Sequence, residues 1–155
     1  MPPANTLTGP TVTSITPAAL SPAVGTDSTY SVTVNNTRGS QDIGVVNVLF
    51  NSVLDGRAAC YLAFVPSASQ VYLVNDAGDS LGLGSAGLSG SSSVQNRQCK
   101  ITPTGSIASG NSLNLTFKVS FDSSFTGDRI IFVAARSNGD VSSSGWQSIG
   151  TVQPR

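Results

Sequence analysis

The sequence predicts an all-β protein, a single β-sandwich domain over residues 11–153 with Greek-key connections and about seven to nine strands. Apolar and polar residues alternate along most of the chain, which is the pattern of strands with one buried face. Gly, Pro, Asn and Asp separate these short runs, as expected of turns. Glu is absent, whereas Ser and Thr number 25 and 14, so helices lack their best formers. Residues 1–10 are expected to be a disordered or linker segment.

The first three strands are expected at residues 11–16, 30–34 and 43–50. The first run, TVTSIT, is closed by Pro17. In the second, apolar residues at every other position indicate a half-buried strand. The third, IGVVNVLF, is almost continuously apolar, which is typical of a strand covered on both faces. A short helical turn is expected at residues 40–42, just before it.

Two further strands, at residues 60–65 and 70–74, flank the four residues 66–69. That spacing predicts a β-hairpin. The Gly- and Ser-rich residues 75–97 follow, and they are expected to form a surface loop tethered at both ends.

The remaining strands are expected at residues 98–101, 113–121, 129–135 and 146–152, with a turn around residues 103–110. The run 113–121 gives the clearest alternation, since five apolar side chains fall on one face. Burying them contributes roughly 8 to 15 kcal/mol before chain entropy is subtracted. This strand is therefore expected to be central to the core.

Cys60 and Cys99 are the two cysteines of the chain. They lie in β-rich, hydroxyl-rich sequence of the kind found outside cells, so a disulfide is expected. Closing a loop of about 40 residues would stabilise the fold by roughly 3 to 4 kcal/mol. The alternative is a pair of buried free thiols in a cytosolic protein.

Charge and residue types exclude several classes of function. Eight basic and eight acidic residues give a formal net charge of zero, and without a basic cluster neither nucleic acid nor an anionic membrane surface is an expected partner. The longest apolar run, residues 130–135, is too short to span a membrane. The chain has no His, which excludes Ser-His-Asp and Cys-His catalysis and most zinc sites. We therefore expect a protein that is not an enzyme and needs no cofactor. A bound calcium ion is the one possible exception.

Asn75, Asp76 and Asp79 place three oxygen-bearing side chains within five residues. Calcium prefers such ligands, so these residues are the candidate metal site. The alternative is a plain turn, in which Asx side chains bind nearby backbone groups.

Tyr61, Tyr72 and Trp146 are the candidate ligand-binding residues, because aromatic faces can stack on sugar rings. Tyr61 and Tyr72 lie on the two strands of the expected hairpin, where its loop length allows them to share a face. The alternative is that each ring is partly buried with its polar atom satisfied.

Several segments resemble known repeats. The runs VTSITPAALSP, STYSVTVNN and SLNLTFKVSFDSSFTGDRIIFVAARSNGDVSSSGWQSIG, together with VVNVLFNSVLDGRAACYLAF, VYLVNDAG and RQC, resemble the immunoglobulin-like and fibronectin-III-like repeats of bacterial secreted and cell-surface proteins. The resemblance implies an extracellular immunoglobulin-like sandwich without catalytic residues. The chain departs from antibody domains, since Trp146 does not lie between Cys60 and Cys99.

Two functions remain open. The first is a non-catalytic module of a secreted or cell-surface protein, acting as a structural spacer or as an adhesion or assembly domain. Its partners would be neighbouring domains or identical subunits. The alternative is a carbohydrate-binding module of an exported enzyme, with a glycan as ligand and possibly a structural calcium ion.

Overall fold

Two β-sheets pack face to face in the computed structural model, which describes residues 9–155. The strands are β1 (Pro10–Thr16), β2 (Ala19–Leu20), β3 (Asp27–Asn36), β4 (Ile43–Asn51), β5 (Cys60–Val65), β6 (Gln70–Leu73), β7 (Ser85–Gly87), β8 (Val94–Gln95), β9 (Cys99–Ser109), β10 (Ser112–Phe121), β11 (Arg129–Ser137) and β12 (Gln147–Val152). The five-stranded sheet has the order β1-β3-β10-β9-β8, and the seven-stranded sheet has the order β2-β12-β11-β4-β5-β6-β7. Single 3-10 turns lie at Ser40–Asp42, Pro66–Ala68, Ser123–Phe125 and Asn138–Asp140.

The predicted all-β sandwich is confirmed, and each expected strand is present. The turn at Ser40–Asp42 and the β5–β6 hairpin are also found where they were expected. Three short strands, β2, β7 and β8, were not expected. The last two lie inside the segment 75–97, which is therefore more than a surface loop. Ala86 and Val94 explain the difference, since both are buried in the core between the sheets. The expectation for residues 1–10 falls mostly outside the described residues, and Pro10 already belongs to β1.

The expected turn at residues 103–110 is wrong, because β9 continues to Ser109. Pro103 favours a turn by local preference, but the strand accommodates it. It pairs with Phe117 at a point where the register of β9 and β10 shifts, so a bulge absorbs one residue there. On its other side β9 pairs only with the two residues of β8. A proline without an N–H donor is tolerated at such an edge.

The core lies between the inner faces of the sheets. All five apolar residues of β10 that were expected to share a face are buried there, as are their neighbours in β3 and β4. The ring of Phe50 in β4 contacts Tyr30 in β3 at 5.5 Å and Phe121 in β10 at 5.4 Å between centroids. These edge-to-face contacts cross from one sheet to the other, so they fix how the sheets pack.

The predicted disulfide between Cys60 and Cys99 is confirmed. It joins β5 of the seven-stranded sheet to β9 of the five-stranded sheet, with 5.7 Å between the Cα atoms. Both cysteines are buried. A disulfide is consistent with an extracellular location.

The two ends of the described chain lie at opposite poles of the sandwich. At the entry pole, Gly9 donates its N–H to the Thr37 hydroxyl, beside the end of β3 where β1 begins. At the exit pole, Arg155 donates its N–H to the Pro22 carbonyl. In β12, Val152 pairs with Arg129, at the end of β11 far from the entry pole. The long axis of the sandwich therefore runs from one chain end to the other.

Tyr30 places a polar hydroxyl inside this core, so replacing it measures what that hydroxyl costs in free energy of unfolding. Its hydroxyl has no hydrogen-bond partner among residues 9–155, and burial raises the pKa of Tyr30 to about 12. We expect Tyr30→Phe to raise the free energy of unfolding by about 1 kcal/mol at neutral pH, because an unsatisfied buried group is removed.

The same substitution should also change how the free energy of unfolding depends on pH in the alkaline range. In the unfolded chain Tyr30 ionises near pH 10, so the folded protein holds this proton more tightly and loses stability as the pH rises from about 10 to 12. Tyr30→Phe lacks that contribution, so its free energy of unfolding should fall less over this pH range. Urea unfolding at neutral and alkaline pH measures both effects. A variant that is less stable at neutral pH would contradict the expectation.

Candidate functional site

The outer face of the seven-stranded sheet points away from the core, yet apolar side chains on it are shielded from water. Val45 and Leu49 in β4 lie on this face, yet they are 8% and 2% exposed, and neither belongs to the core cluster between the sheets. The sequence expectation that β4 is covered on both faces is thus confirmed. Loops of the same chain must therefore shield this face, and they leave part of it open.

Two segments border the middle of this face. The 75–81 loop follows β6, and its Asp76 carbonyl accepts the Ala58 N–H at 2.8 Å, which ties the loop to the connection between β4 and β5. The 141–146 loop precedes β12 and ends in Trp146. The ring of Trp146 meets the ring of Tyr61 edge to face, with 5.7 Å between centroids and 69° between planes. Tyr61 therefore lies between the two loops.

The gap between these loops forms a groove. Its two adjoining cavities, of about 270 and 250 Å³, share Asn47, Tyr61 and Arg136 as their common floor. Asp79 lines the first cavity and Trp146 lines the second. Here "the groove" denotes the surface formed by these five residues. Three strands, β4, β5 and β11, supply the floor and place it rigidly.

The polar atoms of the groove are only partly used within the protein. Asn47 is 6% exposed, and its amide donates one long hydrogen bond, 3.4 Å, to the Leu62 carbonyl. The hydroxyl of Tyr61 makes no hydrogen bond within residues 9–155. Burial raises the pKa of Tyr61, and the positive charge of Arg136 opposes that shift. Arg136 binds Asp140 through one nitrogen at 3.1 Å, which leaves its other donors available.

The structure brings Tyr61 and Trp146 together and leaves Tyr72 apart. Register places Tyr72 opposite Ala63, so it shares the outer face with Tyr61, as alternation predicts. It lines neither cavity of the groove. Asn47 and Arg136 were not among the sequence candidates. Their only signal was a polar residue at an outward position of an otherwise apolar strand.

The candidate calcium ligands form hydrogen bonds and an ion pair with nearby groups of the protein. The Asn75 side-chain amide donates to the Asp79 carboxylate at 3.0 Å, and the Asn75 side-chain oxygen Oδ1 accepts the backbone N–H of Asp79 at 3.0 Å. Asp76 instead accepts the Arg97 N–H at 3.0 Å and faces its guanidinium at 3.6 Å. Across residues 9–155 the structure has no group of three or more acidic, His or Cys side chains placed to hold a metal ion. The calcium ion stays a prediction.

Comparison with protein-family models, with curated proteins and with solved structures finds no match to this chain. The resemblance to immunoglobulin-like and fibronectin-III-like repeats therefore stays a prediction. Within residues 9–155, no helix has the length and apolar character needed to cross a membrane.

The wall of the groove formed by the 75–81 loop depends on Gly78. Its φ is +78°, and a Cβ atom there would lie 2.8 Å from the Gly56 backbone. Gly84 has a φ of +95° with no atom within 4 Å of its Cβ position. Both alanine variants carry the cost of a positive φ, but Gly78→Ala adds a backbone clash.

We therefore expect Gly78→Ala to destabilise the protein by about 1–2 kcal/mol more than Gly84→Ala does. Urea unfolding of the two variants beside the unsubstituted protein measures the difference. Equal losses in the two variants would show that the loop contact is not tight.

Proposed function

We propose that the protein is a non-catalytic extracellular module that acts as a structural spacer or as an adhesion or assembly domain of a secreted or cell-surface protein. The placement of the chain ends at opposite poles supports this proposal most directly. Modules joined end to end through such poles extend along one line, and the length of each sandwich adds to the reach of the whole. Neighbouring domains or identical subunits would be the partners at the poles.

The terminal strands are held in the geometry that resists an end-to-end pull. β1 pairs along its length with β3, from Pro10 opposite Asn36 to Thr16 opposite Ser31. A pull on its entry-pole end runs parallel to the strand and loads all these pairs at once. At the other end, β12 pairs with β11 and with β2, and it is pulled along its own axis towards the exit pole.

The disulfide adds a second restraint under load. Cys60 and Cys99 lie 39 residues apart in sequence and join the two sheets. The chain between them, including the 75–81 loop, cannot extend while the bond is intact. A covalent link of this kind suits an oxidising compartment outside the cell.

Single-molecule force measurements test the proposal. With handles at the two chain ends, we expect unfolding in one step. Reduction of the disulfide should release an additional 14 nm or so, because 39 residues each contribute about 3.6 Å. The double variant with Cys60→Ala and Cys99→Ala should match the reduced protein.

A second pulling geometry provides the matched control. Gly39 and Asn111 lie together at the entry pole, beside the paired ends of β3 and β10. Handles there open that ladder one pair at a time. We expect this geometry to unfold the protein at a lower force than end-to-end pulling. Equal or higher force in the unzipping geometry would contradict the proposed spacer role.

A further inference from the structure

We propose that the groove binds a neutral oligosaccharide, with Tyr61 and Trp146 contacting the sugar rings and Asn47 and Arg136 binding their hydroxyls. This binding function is independent of the spacer role, since the groove lies on the side of the sandwich and the chain ends lie at its poles. The argument rests on the shape, the unused polar atoms and the charge of the groove.

The aromatic corner supplies the apolar part of the site. Tyr61 and Trp146 are each partly exposed, and their rings stand 69° apart. Rings at this angle form a corner in which one ring faces a bound molecule and the other borders it. The C–H bonds of a pyranose ring are slightly positive, so they pack well against the negative face of an aromatic ring.

The floor supplies hydrogen bonds at short range from that corner. Asn47 offers an amide oxygen, Tyr61 a hydroxyl, and Arg136 several N–H donors. Sugars carry many hydroxyls that both donate and accept, so they match a surface with both kinds of group. Asn47 and Arg136 lie on the central strands β4 and β11, which hold these atoms in place without ligand. Such preorganisation favours binding.

Charge selects against acidic ligands. Arg136 is already paired with Asp140, so it offers an anion little unpaired positive charge. The Asp79 carboxylate lines the first cavity beside the same floor and would repel an anionic sugar. A neutral ligand meets no such penalty.

The size of the groove sets the length of the ligand. Its two cavities, about 270 and 250 Å³, adjoin across Asn47, Tyr61 and Arg136. Each has room for one hexose ring. A chain of at least two linked sugars should therefore bind more tightly than a single one.

Trp146 is the one tryptophan of the chain, so its fluorescence reports directly on the groove. The probes are cellohexaose, xylohexaose, mannohexaose and chitohexaose, with glucose as the monosaccharide and oligogalacturonate as the acidic comparator. We expect at least one neutral hexamer to change the Trp146 emission in a saturable manner. We expect glucose and oligogalacturonate to bind at least tenfold more weakly than that hexamer.

Variants then locate the site. Tyr61→Ala and Arg136→Gln should each weaken binding of that hexamer at least tenfold by fluorescence, and Trp146→Ala should do so by calorimetry. Tyr72→Ala is the matched control, because Tyr72 is an aromatic residue on the same sheet face outside the groove. It should leave affinity within twofold. Arg136→Gln keeps the tyrosine and tryptophan rings, so it remains informative if Tyr61→Ala or Trp146→Ala fails to fold.

Three results would overturn the proposal. The first is no saturable change with any neutral hexamer at millimolar concentration. The second is preference for the acidic oligosaccharide. The third is binding that Arg136→Gln leaves intact or that Tyr72→Ala weakens as much as the groove variants do.

Discussion

The packing of Phe50 against the opposite sheet sets the orientation of the whole seven-stranded sheet. Its ring lies 5.5 Å from Tyr30, 6.5 Å from Phe117 and 5.4 Å from Phe121, and all four rings are almost completely buried. Because strand side chains alternate between faces, an inward Phe50 forces Leu49 and Asn47 outward. A slip of one residue in β4 would place Asn47 in the core and turn Phe50 to the outer face.

The two outer faces of the sandwich differ in the polarity of their outward side chains. On the five-stranded sheet, polar side chains bond to each other across strands, as Asn114 does with Ser31 and Thr33. That face needs no cover. On the seven-stranded sheet, the outward residues Val45 and Leu49 are apolar and must be shielded from water. The loops that border this face leave Asn47 and Arg136 at the bottom of a gap, and the groove is the result.

The sequence was informative where one physical rule acted alone. β10 followed from its five alternating apolar residues, and the disulfide followed from composition and cysteine count. Errors arose where tertiary position overrode local preference. Pro103 favours a turn by local preference, but it lies where the strand is at a sheet edge, so its missing N–H costs no hydrogen bond. Ala86 and Val94 are isolated apolar residues in a Gly- and Ser-rich segment, and only the assembled core shows that they are buried.

The candidate site illustrates the same limit. Tyr61, Tyr72 and Trp146 were named from residue type, but which two aromatic residues meet depends on strand order. β5 and β11 both flank β4, and β12 follows β11 at the next position, so the loop before β12 can bring Trp146 to Tyr61 across the sheet. Tyr72, one strand further out on β6, shares the outer face with Tyr61 but lines neither cavity of the groove. Nothing in a single sequence encodes that order, and the only signal at Arg136 was a polar residue at an outward position of an otherwise apolar strand.

The position of the groove makes binding compatible with a mechanical load. Tyr61 is adjacent to Cys60, so the disulfide anchors that side of the groove to the five-stranded sheet. Trp146 lies at the end of β12 away from the exit pole, where Gln147 pairs with Val133. A pull on the carboxyl end loads the pairs of β12 with β11 together, along the strand axis, so Trp146 stays in place until those pairs break. The groove should therefore keep its shape until β12 detaches, and a ligand that bridges Tyr61 and Trp146 would add its own contacts to the restraint on that strand.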